Sequence, residues 1–248
     1  MRIVSWNIRA GGGRRAEAIA RQLYEWNPDV VALSEFRGTP PSREIAASLA
    51  RLGLSHQRNT CVADSDTRNA LLIASRWPLR RLRANHGLQD DERWLRVRVQ
   101  APYRFEVFAV HVPNRVTRRK YPFLDAVSDV VAAWRGPPGI LVGDTNSGRI
   151  GIDEESVAFS SREDQWLLHL EALSWRDAFR SHYPRRREFT WYSPNGNNGF
   201  RLDQAFLHPN LMGRLRKVRH AWGSDGSKRR DALSDHAAVI VDVDENST

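Results

Sequence analysis

The chain has 248 residues, 41% of them apolar, with a formal charge of +9 and a sequence pI near 10.5. The length suits two small domains or one large α/β domain, and the apolar share is enough for a substantial core. No apolar run is long enough to span a bilayer. Met1 to Asn7 runs straight into a strand pattern with no signal-peptide h-region, so the expected compartment is the cytoplasm. The single cysteine, Cys61, excludes an internal disulfide and a Cys-built zinc site; it reads as a small, partly buried thiol. The positive balance favours a polyanionic partner, most commonly nucleic acid. Only three of the 38 basic residues are Lys (Lys120, Lys217, Lys228), and such an Arg bias also fits a GC-rich genome.

Arg2 to Ile8 alternates as a strand, with Ile3, Ser5 and Asn7 on one face and Val4, Trp6 and Ile8 on the other. After Gly11-Gly12-Gly13, residues 14–26 predict a helix that buries Ala16, Ile19, Ala20, Leu23 and Tyr24, stopped by Asn27-Pro28-Asp29. Val30-Val31-Ala32-Leu33 is the continuous apolar run of a buried central strand, and it ends in Ser34-Glu35-Phe36. Ser42 is placed to cap a second helix with Ile45, Leu49 and Leu52 inward. Strands follow at 69–75, 93–99 and 105–110, the last ending in His111-Val112-Pro113-Asn114. A helix over 117–134 turns Tyr121, Leu124, Val127 and Val131 inward. Ile140-Leu141-Val142 is another buried strand, ending in Gly143-Asp144-Thr145-Asn146. Ser161 and Asp164 have the spacing of a capping box, for a helix that buries Trp166, Leu170 and Leu173. Residues 189–192 and 201–207 predict strands, and Ser234-Asp235-His236 precedes a last apolar run, 237–241. Strands and helices alternate throughout, which indicates an α/β layered fold.

One polar group after another stands at the end of a buried strand: Asn7, Glu35, His111, Asp144 with Asn146, Asp203, and Asp235 with His236. A charge is costly to bury without a partner, and in layered α/β folds strand ends are where sites assemble. Each residue also has a plain structural explanation; Asp203, for example, could pair with Arg201. The joint pattern is harder to explain that way.

The motifs SWNIR with Asn7, ALSE with Glu35, NALLIASR at 69–76, HVPN with His111, GDTN with Asp144 and Asn146, FTWYS at 189–193, RLDQAF with Asp203 and SDH at 234–236 occur in the order found in one family. The chain resembles the endonuclease/exonuclease/phosphatase superfamily, which includes DNase I and the exonuclease III type of DNA-repair nuclease. The resemblance covers essentially the whole chain. It implies a four-layer α/β/β/α sandwich, two mixed β-sheets face to face with helices outside, in a single domain over 1–248, because the site draws on both ends of the chain. It also implies a metal-dependent phosphodiesterase, most simply a DNA or RNA nuclease. By position, Glu35 and Asn7 would hold Mg²⁺ or Mn²⁺, with Asp235 able to add to that site. Asp144 would deprotonate the attacking water and Asn146 would hold the water or the phosphate. His236 would donate to a phosphate oxygen, with Asp203 fixing its tautomer, and His111 would be a second donor. Phosphodiester hydrolysis needs such a set: a hard cation on oxygen ligands, an activated water, and donors for the developing charge.

Three positions depart from the family pattern. Ser34 stands where Gln is common. His111 stands where the exonuclease III type has Tyr and DNase I and the phosphatase and sphingomyelinase branches have His. Gln204 replaces a Tyr common in the repair nucleases. The last two weaken the expectation of cleavage at abasic sites. Basic clusters at 115–120, 185–187 and 228–230 could follow a phosphate backbone or be solvated loops. The expected partner is therefore a nucleic-acid substrate acted on by a monomer. Two alternatives are a phosphatase or small-molecule phosphodiesterase of the same superfamily, and a nucleic-acid-binding module without turnover.

Overall fold

The computed structural model describes residues 1–62, 66–82, 91–224 and 226–244; within the cluster at 228–230, the Arg230 side chain lies outside this description. In chain order the elements are β1 (Arg2–Asn7), α1 (Ala16–Trp26), β2 (Val30–Phe36), α2 (Pro40–Arg51), β3 (His56–Asn59), β4 (Ala70–Ser75), β5 (Leu79–Arg81), β6 (Trp94–Val99), β7 (Phe105–His111), α3 (Lys120–Ala132), β8 (Gly139–Asp144), α4 (Ser161–Ala172), β9 (Arg176–Asp177), α5 (Ala178–His182), β10 (Trp191–Tyr192), β11 (Gly199–Phe200), β12 (Asp203–Leu207), α6 (Pro209–Met212), β13 (Leu215–Ala221) and β14 (Ala238–Val243).

Twelve of these strands build two six-stranded sheets, ordered β13-β14-β1-β2-β4-β3 and β5-β6-β7-β8-β12-β9, and β10 pairs with β11 in a small ribbon. Both large sheets are mixed: β1–β2 and β7–β8 are parallel and the other pairs antiparallel. The fold is the expected sandwich, because each central strand is apolar on both faces. From β1, Ile3 enters the core between the sheets with Val30, Ile73, Val97, Val107, Val142 and Val241. Its neighbours Val4, Trp6 and Ile8 face the other way, onto Ile19 and Leu23 of α1 and Ile45 and Leu49 of α2. On the second sheet Phe108, Val110, Leu141 and Phe206 meet Leu124 and Val127 of α3 and Trp166 and Leu170 of α4. Each such side chain, fully buried, contributes roughly 1.5–3 kcal/mol. No helix among the described residues is long and apolar enough to cross a membrane.

Several local expectations need correcting. A 3₁₀ turn at Gly13–Arg15 precedes α1, and Tyr24 is 64% exposed. Helix α2 starts at Pro40, so Ser42 lies inside it; its hydroxyl donates to the Gly11 carbonyl (2.9 Å) and accepts from the Arg37 N–H (3.2 Å), tying the glycine turn to the end of β2. The capping box of α4 is Ser160 with Glu163, one residue before the expected pair. Residues 115–117 form a 3₁₀ turn, and α3 begins only at Lys120. Only Trp191–Tyr192 of the stretch 189–192 is strand.

Candidate active site

The strand directions bring the polar ends together. Asn7 and the end of β2 lie side by side on parallel strands, with Asn7 opposite Ser34. In the other sheet His111, Asp144 and Asp203 form one row across β7, β8 and β12. Asp203 and His236 stand at strand starts, not at the C-terminal ends where the sequence placed them: β12 and β14 run antiparallel to their neighbours, so their beginnings reach the same edge. The two sheets meet there through the Asn7 side-chain amide, which donates to Glu35 Oε1 (3.2 Å) and Asp144 Oδ2 (3.0 Å).

Two backbone features fix the acids. Glu35 lies where the β2–β4 register shifts between Ser34 and Phe36, with φ 56°. A non-glycine residue in this left-handed region costs on the order of 1 kcal/mol, and the bulge turns its carboxylate to the sheet edge. There Oε2 accepts the Ala10 N–H at 2.7 Å. Just before Asp144, Gly143 has φ 144°, and a Cβ there would lie 2.0 Å from the Val110 carbonyl oxygen; only glycine lets β8 pass β7 this closely. Asp144 Oδ1 accepts the Asn146 N–H at 3.0 Å, and the Asn146 amide donates to the Val112 carbonyl at 2.8 Å.

Around Asp144 Oδ2 stand two imidazoles, His111 Nε2 at 3.7 Å and His236 Nε2 at 3.9 Å. His236 Nδ1 is 2.8 Å from Asp203 Oδ2. Asp203 is itself seated by Thr190, whose hydroxyl accepts the Leu202 and Asp203 N–H groups. Ser234 donates to the Asn7 carbonyl at 2.6 Å, and Trp6 donates to the His236 carbonyl at 2.9 Å, so the last motif is pinned to the first strand.

Electrostatics separates the groups. Burial alone would lower His236, but the Asp203 and Asp144 carboxylates outweigh it and raise the imidazole to about 10. His111 goes the other way: burial pushes it below the ordinary imidazole range, Asp144 and Glu35 oppose this, and Arg93 adds to it. Burial and the nearby Asp203 charge raise Asp144 against the pull of the histidines. Burial of Glu35 is outweighed by the Ala10 N–H, the neighbouring His111 and His236 rings and the Asn7 amide, which hold its carboxyl below the usual range.

These groups open into one pocket of about 300 Å³, lined by Glu35, His111, Asp144, Asn146, Asp235 and His236. Of the eight residues singled out in the sequence, Asn7 and Asp203 stand behind that wall, bonded to groups that form it. Asn69, Arg93, Asn114, Thr117, Trp191 and Leu202 complete the lining. Asn69, Asn114, Trp191 and Leu202 belong to the quoted motifs without having been given a role. Arg93 had been seen only as the first residue of a strand, and Thr117 as the first residue of a helix within the basic stretch 115–120.

A model of the Endonuclease/Exonuclease/phosphatase family matches residues 4–236. The chain belongs to this family. Among solved structures it is similar to an AP endonuclease from Archaeoglobus fulgidus (20% identity, TM-score 0.79, covering 98% of this chain and 99% of that one). It is similar to the 3' phosphatase NExo from Neisseria bound to a product DNA hairpin (22%, 0.79, 98% and 99%). It is also similar to the 3'-5' exonuclease NExo from Neisseria meningitidis (23%, 0.78, 98% and 100%). No curated protein matches the chain.

In this member of the Endonuclease/Exonuclease/phosphatase family, the clustered acids could hold a divalent cation. Ligand atoms of Asp144, Asp203 and His236 lie within 4.8 Å of one another. A metal ligand must be deprotonated, however, and His236 is held protonated on Asp203. The oxygens of Glu35 and Asp144, which converge on the Asn7 amide, suit a hard cation better. Asn7 fits in only one way: its side-chain oxygen accepts the Arg9 N–H at 3.0 Å, so its amide would have to turn over to ligate. Asp235 stands at the rim, 40% exposed, with Oδ2 3.9 Å from Arg9 Nε.

Proposed function

We propose that this chain is a divalent-metal-dependent phosphodiesterase that hydrolyses nucleic acid. The observation that carries the reading is the convergence on Asp144 Oδ2 of a protonated imidazole, a neutral imidazole and a carboxamide, beside an ionised Glu35. Glu35, with Asn7 and Asp235 near it, would hold Mg²⁺ or Mn²⁺. Such a cation, when bound, supplies Lewis-acid stabilisation of a phosphate oxygen. The side chains do the rest. Asp144, its basicity raised by burial, takes a proton from the attacking water, and Asn146 orients that water. As the water oxygen bonds to phosphorus, the P–O ester bond breaks, its electron pair leaving on the departing sugar oxygen, which takes a proton from solvent to become the hydroxyl. Charge builds meanwhile on the nonbridging oxygens. His236 donates to one through Nε2–H, and His111 and Arg93 donate to it or its neighbour. Asp203 holds His236 in the tautomer that leaves Nε2 as the donor.

The +9 balance and the names of the structural neighbours, an AP endonuclease, a 3' phosphatase and an exonuclease, support nucleic acid as the substrate. The test is cleavage of a plasmid and an oligonucleotide with Mg²⁺. We expect EDTA to abolish turnover, and Glu35→Ala, Asp144→Ala and His236→Ala each to lower it by at least about a hundredfold in a folded chain. Full activity in the Asp144 or His236 variant would defeat the mechanism. Phosphomonoesterase action is the second reading, favoured by the similarity to a 3' phosphatase and compatible with His111, which the DNase I and phosphatase branches share. Faster turnover of a small monoester than of any polymer would establish it instead.

A further inference from the structure

Strand β10 carries two aromatic residues, and adjacent strand residues point to opposite faces. Trp191 turns into the pocket, its ring centre 6.3 Å from that of His236. Tyr192 turns outward. Its ring centre is 6.2 Å from Trp222, at an interplanar angle of 41°, and the guanidinium of Arg229 lies over it at 3.9 Å. Arg229 is also tied to the Asn197 side chain at 2.6 Å, so the cation is positioned in two directions. Phe189 stands edge-on to Tyr192 with its ring centre 6.0 Å away, and Arg187 lies 5.7 Å over Phe189.

These residues come from two segments: 183–198, which contributes Trp191 to the pocket lining, and 222–233, which leads to its lining residues Asp235 and His236. Tyr192 and Trp222 are half-buried, so each keeps part of its ring in solvent. Arg185, Arg186, Arg187, Lys228 and Arg229 are exposed on the same segments, whose acids among the described residues are Glu188 and Asp231. The pattern alternates rings and guanidinium planes, and Tyr192 is the chain neighbour of Trp191, which lines the pocket proposed to take phosphate esters.

We infer that Tyr192, Trp222 and Arg229 form a stacking platform for unpaired nucleotides, so that the substrate strand enters the pocket over Trp191 in single-stranded form. The inference rests on the nucleic-acid reading of the pocket and adds the strandedness of its substrate. Bases in a duplex already stack on one another, and a ring or guanidinium plane reaches a base face only where the base is unpaired or splayed out. The arginines would follow the backbone, and the rings would accept any base, because every base has a π-face.

The test is fluorescence anisotropy in EDTA, with a labelled oligothymidylate and a labelled blunt duplex as probes. We expect the wild type to bind the single strand more tightly. Tyr192→Ala and Trp222→Ala should each weaken that binding about tenfold, with duplex binding changed much less. Arg229→Ala should lower the slope of log affinity against log salt by about one. Thermal melting checks folding; should either alanine variant melt early, Trp222→Phe, which keeps a ring, should bind like wild type while Trp222→Leu does not. Equal losses on both probes, or no loss on the single strand, would overturn the inference while leaving the nuclease reading intact. A wild type that hydrolyses bis-p-nitrophenyl phosphate but neither binds nor cleaves any nucleic acid would overturn the nucleic-acid reading, and this inference with it.

Discussion

Asp203 Oδ2 sits 2.8 Å from His236 Nδ1, and this one contact leaves the far nitrogen, Nε2, as the group that faces Asp144. The pair spans the two sheets: Asp203 opens β12, and His236 lies two residues before Ala238, the first residue of β14. Its ionisation follows from position, since two carboxylates overcome the penalty of burying the imidazolium and raise it to about 10. The folded value lies above the unfolded one of 6.5, so the stability contributed by this ring is fully present below pH 6.5 and is lost as pH rises through about 10.

Asp203→Asn should therefore move the alkaline limb of the pH–rate profile to lower pH. The wild type is expected to keep its imidazolium through neutral pH and lose activity only as pH approaches 10. The variant loses the larger of the two supporting charges and should begin to fail well below that. Profiles of kcat/KM against pH for the two proteins check this, and superimposable alkaline limbs would contradict the assigned role.

Glu35→Gly should separate activity from stability. The substitution removes the carboxylate and its bond from the Ala10 N–H, but it also relieves the left-handed φ of 56°. Glycine pays no steric penalty there. The expected result is loss of metal-dependent turnover with a melting temperature within a few degrees of wild type, measured by calorimetry.

At Gly143 the balance reverses. An alanine Cβ would meet the Val110 carbonyl oxygen at 2.0 Å, a backbone atom that cannot rotate away. Gly143→Ala should cost about 3 kcal/mol or more or prevent folding, read by urea denaturation of the soluble chain.

A buried cluster below the site sets the acid limit. Arg201 is fully buried and bonds Asp153 (2.7 and 2.9 Å) and Asp177 (2.6 Å), and Arg180 also pairs with Asp153. Burial would raise the Asp153 carboxyl, but the two guanidiniums outweigh it and hold it below 3.8. The folded value is the lower one, so this contribution is complete above pH 3.8 and is lost as pH falls through the folded value. Removing one partner of a buried pair costs about 3–5 kcal/mol. Arg201→Met should lose stability of that order at neutral pH, and less of it in acid. Denaturant titrations of both proteins at pH 7 and below about pH 4 make the comparison.

How much of this was legible in the sequence depended on contrast. Glu35, Asp144 and His111 stood out because each ends a run of apolar residues, where a polar group is unexpected. The central strands were readable for the same reason, being apolar on both faces. The polar edge strands β3 and β13 were not, since His-Gln-Arg-Asn and Leu-Arg-Lys-Val-Arg-His-Ala show no apolar run. Arg93 was invisible because one more arginine carries no signal in so basic a chain. The Arg201 alternative for Asp203 could be settled only by three-dimensional contacts: Arg201 turns to Asp153 and Asp177, leaving Asp203 to His236.

The first strand lies between the next strand in sequence and the last strand among the described residues, with Ile3 opposite Val30 on one side and Val241 on the other. A ribosome therefore delivers Asn7, Glu35 and Asp144 long before it delivers His236. Until His236 and β14 are made, the emerging polypeptide would hold these acids without the imidazolium that partners them, and β1 would have one flank open. On the proposed function, then, the catalytic set would be complete only once β14 has paired with β1 and carried His236 to Asp203.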